Sequence, residues 1–150
     1  ANAQPLALHG IVAGVFPFRV EQIDALVTAG LDLGAKDTTG WTALHCAARI
    51  GDSNVVATIL EKQPSKELIE ATTQGGWRAL HHAVACGHLG VVEELLAADA
   101  EVDPHIEKEG LTPLHLSAML GHMEITDLLL QCGANPHATT TGLRRTALHL

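Results

Sequence analysis

The chain has 150 residues, 47% of them apolar, which is a single-domain length with ample material for one core and excludes a disordered polypeptide. Nine Lys and Arg against seventeen Asp and Glu leave a formal charge of −8, which repels nucleic acid and anionic lipid and removes both as expected partners. Aromatic residues make up only 3%, so stacking platforms for bases or cofactors are almost absent and an aliphatic core is expected.

In chain order, the first weakly polar stretch runs from Leu6 to Phe18 and is interrupted by His9 and Pro17. It is shorter than the ~18 residues of a membrane-spanning helix and lacks the basic lead-in of a signal peptide, so a soluble chain is expected. Pro5-Leu6-Ala7-Leu8-His9 opens an irregular unit over about residues 5–36, with extra residues around Phe16-Pro17-Phe18 before Leu26-Val27 and Gly30.

From there a repeat is plain. Gly40-Trp41-Thr42-Ala43-Leu44-His45, Gly76-Trp77-Arg78-Ala79-Leu80-His81 and Gly110-Leu111-Thr112-Pro113-Leu114-His115 align, and the histidines at 45, 81, 115 and 149 are 36, 34 and 34 residues apart. Complete units fall at about 37–70, 73–106 and 107–138, followed by a truncated copy at 139–150. Within one unit a turn Gly precedes a Thr that can cap a helix, and in the third unit Pro113 sits where its missing N–H costs nothing. Small or apolar residues such as Leu114, Ser117 and Ala118 recur at helical spacing until Gly121 permits a reversal. A second helix follows, with Ile125, Leu128 and Leu129 as its buried stripe; the aliphatic pairs Ile59-Leu60, Leu95-Leu96 and Leu129-Leu130 mark it in each unit. Gly133 then supplies a left-handed cap, and Pro136 prevents continuation. Each helix pair is too small to bury its own apolar face, so the units must stack into a solenoid.

Leu111 to Ala134, reading Leu-Thr-Pro-Leu-His-Leu-Ser-Ala, then Gly-His, then Leu-Leu-Leu and Gly-Ala, resembles the ankyrin repeat. The resemblance covers the chain from about residue 5 onward and implies an all-α solenoid of helix-turn-helix units with hairpin-like loops, in one domain over 1–150. It also implies a non-enzymatic protein-interaction module.

Several positions depart from the pattern. Arg78 stands where Thr42, Thr112 and Thr146 supply a hydroxyl, so His81 is expected to lose that partner. Asp99 stands at the Gly cap position, where a left-handed backbone costs a non-Gly residue roughly 1 kcal/mol. Gln63-Pro64 replaces the first unit's cap, and Ser65 to Glu70 gives room for an extra helical turn. The last copy stops at Leu150 in mid-helix, so further sequence is expected in the parent protein.

Ten histidines raise the question of a metal or acid–base site. The repeat accounts for them, His82 excepted: His9, His45, His81, His115 and His149 are motif residues, His88 and His122 follow the mid-unit Gly, and His105 and His137 match each other. Equivalent positions in a solenoid form a row and do not converge, so no metal shell is expected. Ser53, Ser65 and Ser117 lack a nucleophile context, and no phosphate-cradling or calcium-binding loop is present. No catalytic residue, cofactor or small-molecule substrate is expected. Cys46, Cys86 and Cys132 are spaced as neither a disulfide framework nor paired metal ligands, which fits a reducing compartment, cytoplasmic or nuclear.

Partner binding is what remains, and the resemblance places it on loop tips and the exposed side of the first helices. Carried over, the tips are Lys36, Thr38, Thr39 and Trp41; Gln74 and Trp77; Glu107, Lys108 and Leu111. The first-helix positions are Cys46, Arg49 and Ile50; His82, Ala85 and Cys86; Leu116, Met119 and Leu120. Ile50, Cys86 and Leu120 fall at one repeat position and form an apolar row. The acidic balance directs the module toward a basic or mixed-charge peptide or domain. Two rival readings are the recruiting section of a larger enzyme or scaffold, and a spacer that self-associates weakly through an uncapped C-terminal end, as the mean hydropathy of +0.18 allows.

Overall fold

The computed structural model describes residues 40–62, 64–106 and 108–140, together with 28, 34, 36 and 146. Most of the irregular unit at 5–36 and of the truncated copy at 139–150, with Thr38, Thr39 and Glu107, lie outside the described residues. Among the described residues seven helices are delimited: α1 Ala43–Ile50, α2 Ser53–Lys62, α3 Lys66–Ile69, α4 Ala79–Ala85, α5 Leu89–Ala97, α6 Pro113–Leu120 and α7 Met123–Gln131. No strand occurs among the described residues. The all-α solenoid expected from the sequence is what the chain adopts.

The start of each first helix is fixed by two neighbouring side chains. Thr42 Oγ1 accepts the backbone N–H of His45 at 3.3 Å, and His45 Nδ1 accepts that of Thr42 at 3.1 Å. Thr112 and His115 repeat this reciprocal cap at 3.3 and 3.0 Å. Two backbone donors are satisfied at each helix start, which is why the Thr-x-x-His pattern begins a helix. In α4, Arg78 N–H still donates to His81 Nδ1 at 3.0 Å, but no side chain of residue 78 caps the helix. The hydroxyl is lost as expected.

The freed Arg78 side chain has another use. Its guanidinium pairs with Glu70 and with Glu101, the latter at 2.7 Å, and Glu70 also accepts the Glu101 N–H at 2.8 Å. This ties α3, the expected extra turn capped by Ser65, to the start of the next loop. Lys66 reaches across to the Asp99 carbonyl at 2.6 Å. Asp99 itself is left-handed with φ of 68°, the one non-Gly residue with positive φ among those described.

Each motif imidazole is set by its two nitrogens. Because Nδ1 accepts a backbone N–H, the ring proton sits on Nε2, which donates to a carbonyl of the following loop: Ala71 from His45 at 2.9 Å, Pro104 from His81 at 3.0 Å, Ala138 from His115 at 2.9 Å. Loops and helices are thereby locked together along the stack.

The first helices pack in sequence, α1 on α4 and α4 on α6, and the second helices likewise, α2 on α5 and α5 on α7. Ala43, Ala47 and Ala48 of α1, Ala79 and Ala83 of α4 and Ser117 of α6 are buried, and such small side chains let the helix backbones approach. Val55, Ile59, Val91, Leu95 and Leu129 fill the layer between the rows. Leu130 departs from its counterparts in the aliphatic pairs: it is 42% exposed, whereas Leu60 is buried.

Candidate partner-binding surface

The fingers between units are short turns pinned by their own backbones. Thr73 N–H donates to Trp77 O and Gly76 N–H to Thr73 O, both at 2.9 Å, so Gln74 is held out at an exposed tip. In the next finger Ile106 N–H donates to Leu111 O at 2.9 Å and Gly110 N–H to Ile106 O at 2.7 Å, which presents Lys108 to solvent. Lys36 is exposed and donates to the Thr72 carbonyl at 3.4 Å, bridging adjacent fingers. Trp41, Trp77 and Leu111 are half-buried and pack against the core at the finger bases.

On the first helices the expected surface splits in two. Cys46 and Leu116, carried over as exposed positions, are buried, because they lie one residue after the motif histidine on the side facing the neighbouring helices. Arg49 and Met119, and the row Ile50, Cys86 and Leu120, are exposed, with Ile50 at 45% and Leu120 at 48%. The three side chains are therefore accessible at the C-terminal ends of three successive first helices. Ala85 is half-buried between them.

His82, the residue the repeat leaves without an assignment, joins the two tryptophans. Its ring centre is 4.5 Å from that of Trp41, 5.0 Å from that of Trp77 and 5.8 Å from that of His45, which stands at 87° to it. Its Nε2 is buried without a hydrogen-bond partner among the described residues. Burial, and then the neighbouring His45, His81 and Arg49, push its pKa down to about 3. The ring is neutral at pH 7 and serves as an apolar wedge. The Arg49 guanidinium carbon lies over the Trp41 ring, 5.7 Å from its centre. Trp41, Cys46, Arg49 and Ile50 line a pocket of about 150 Å³.

The sequence pattern could mark the exposed row but not this cluster, since Trp41 and His82 belong to different units and meet only through stacking. Among the described residues no group of three His, Cys, Asp or Glu side chains is placed to hold a metal ion. No helix among them is long and apolar enough to cross a membrane.

Stacked helix pairs with projecting fingers define a repeat protein that exposes Ile50, Met119 and Leu120 on its first helices and Met123 and Leu130 on α7. The pattern of ankyrin repeats in three copies matches residues 13–107 and that of a single ankyrin repeat matches 109–141; the chain belongs to the ankyrin-repeat family. Over 132 residues it is 29% identical to the nuclear factor NF-kappa-B p105 subunit of Gallus gallus, covering 88% of this chain and 13% of that protein. It is 38% identical over 116 residues to the human SMC5-SMC6 complex localization factor protein 1, covering 77% of this chain and 8% of that one. With the NF-kappa-B inhibitor cactus of Drosophila melanogaster it shares 32% identity over 125 residues, 83% of this chain and 24% of cactus. The chain thus spans less than a quarter of the length of each of these relatives. Ankyrin repeats generally mediate protein–protein interaction.

Proposed function

We propose that the chain is a non-enzymatic interaction module that binds a protein partner through its finger tips and the exposed side of its first helices. The observation that carries this reading is the row Ile50, Cys86 and Leu120, exposed on helices whose other apolar side chains are largely buried. Apolar side chains at the centre of a contact contribute most of its affinity, and the half-buried Trp41 shares a pocket with Ile50. Lys36, Arg49 and Lys108 add positive charge on this side beside Glu109, and Lys62 accompanies Glu61, Glu93, Glu94, Glu124 and Asp127 on the second helices. Charges of both signs favour a mixed-charge partner. The names of the relatives, an inhibitor of NF-kappa-B and a localization factor of the SMC5-SMC6 complex, are consistent with protein-directed roles.

A second reading, a recruiting section within a longer protein, is supported by the small share of its relatives that the chain spans. Both readings place binding on the same surface. Affinity capture from a matched lysate, with the chain and with a folded Ile50→Glu, Cys86→Glu, Leu120→Glu variant, tests them. Proteins recovered by the chain and lost with the variant are expected. Equal recovery would move the site to the second helices or loops.

A further inference from the structure

Arg49 is the one formally charged residue on α1, α4 and α6, whose remaining side chains are apolar, small or histidine. It is exposed, and no carboxylate among the described residues lies within ion-pair distance of it. Its guanidinium is nevertheless positioned: it lies 5.7 Å from the Trp41 ring centre, and Trp41 is itself braced by His82 at 4.5 Å. Beside it opens the pocket of about 150 Å³ walled by Trp41, Cys46 and Ile50. Sites for small molecules usually run to roughly 300–1,000 Å³, so this pocket suits one side chain of a peptide and not a cofactor.

A segment that covers the apolar row at Ile50 also takes Arg49 out of water, and a buried guanidinium without a counter-ion is strongly unfavourable. The occupant must therefore bring a carboxylate, which the planar fork of Arg can grip with two parallel hydrogen bonds. Elsewhere on the second helices the carboxylates repel such a group, so the pairing also fixes where the segment sits.

Resting on the interaction-module reading, we propose that this corner anchors a partner peptide bearing an aliphatic side chain next to a carboxylate. The aliphatic group enters the pocket of Trp41, Cys46 and Ile50, and the carboxylate pairs with Arg49.

The test is a nuclear magnetic resonance titration of the full chain with N-acetyl-leucine and, separately, with N-acetyl-leucinamide. The acid is expected to shift the Trp41 indole N–H and the Cys46 and Ile50 amides, and to bind about threefold more tightly than the amide, the scale of an exposed ion pair. Arg49→Gln should bring the acid down to the level of the amide, and Arg49→Lys should restore part of the difference. Equal binding of acid and amide to the unaltered chain, or shifts confined to other surfaces, would overturn the proposal. In affinity capture, a partner lost with the triple variant but fully retained by Arg49→Gln also overturns the anchor, while the module reading stands.

Discussion

His81 and Pro104 tie α4 to the loop that leads into the next unit: the imidazole donates from Nε2 to the proline carbonyl at 3.0 Å while its Nδ1 accepts the Arg78 N–H at 3.0 Å. The second bond requires an unprotonated Nδ1, since a proton there would face a donor. Burial, opposed by the hydrogen bond to Pro104, pushes the His81 pKa down to about 4. The link between helix and loop therefore depends on a neutral ring.

Acid should loosen the stack well before the carboxylates titrate. His81 and His82, with folded values of about 4 and about 3 against an ordinary value of 6.5, bind protons more tightly when unfolded. Their contribution is complete above about pH 6.5 and is lost as the pH falls toward the folded values, about 2 kcal/mol from His81 alone by about pH 5. Urea midpoints measured at neutral pH and near pH 5 check this; coincident midpoints would show that neither ring titrates on unfolding.

His82→Leu separates the wedge from the link. At neutral pH the lost ring contacts with Trp41 and Trp77 offset the removal of a buried, unpartnered nitrogen, so stability should change by less than about 1 kcal/mol. Near pH 5 the variant should be the more stable chain by about 1–2 kcal/mol, because one acid-labile group is gone. Denaturation curves of both chains at both pH values provide the comparison, and a variant no more resistant to acid than its parent would refute it.

The contrast between these two adjacent histidines marks how far the sequence could be read. His81 lies in a motif whose cap is local, three residues from its partner, so its role follows from spacing; so do the turn glycines and the extra turn after Ser65. His82 takes its role from Trp41, a residue of the preceding unit, and no periodicity reports a contact made only by stacking. The same holds for Arg78: the lost cap was legible, whereas its pairing with Glu70 and Glu101 depends on where α3 and the following loop come to rest. The sites of Ile50, Cys86 and Leu120 were legible as one repeat position, but the burial of Cys46 and Leu116 shows that a helix face read from the repeat can be off by one residue.

Asp99→Gly should stabilise the fold. The aspartate holds φ at 68° with its side chain fully exposed, so the strain is offset by little. Lys66 donates to the backbone carbonyl of residue 99, a bond that glycine keeps, and the surface pairing to the lost carboxylate is weak at 3.9 Å. Relief of left-handed strain, about 0.5–1 kcal/mol, should raise Tm by about 2 °C. A lower Tm by calorimetry would mean that the carboxylate contributes more than the strain costs.

Gly51 and Gly121 occupy the same turn in different units, with φ of 92° and 78°, yet their surroundings differ. A Cβ on Gly51 would come 2.4 Å from the ring of His88, whereas none of the described residues lies within 4 Å of one on Gly121. His88 cannot simply swing aside, because its Nε2 donates to the Arg49 carbonyl at 3.0 Å and so couples the first turn to the second unit. Gly121→Ala should cost only the left-handed strain, about 1 kcal/mol. Gly51→Ala adds a collision and the loss of the hydrogen bond between units, so its cost should exceed about 2 kcal/mol. Chemical denaturation of the two single variants decides the matter: equal costs would show that His88 moves without penalty and that the coupling through Arg49 contributes nothing to stability.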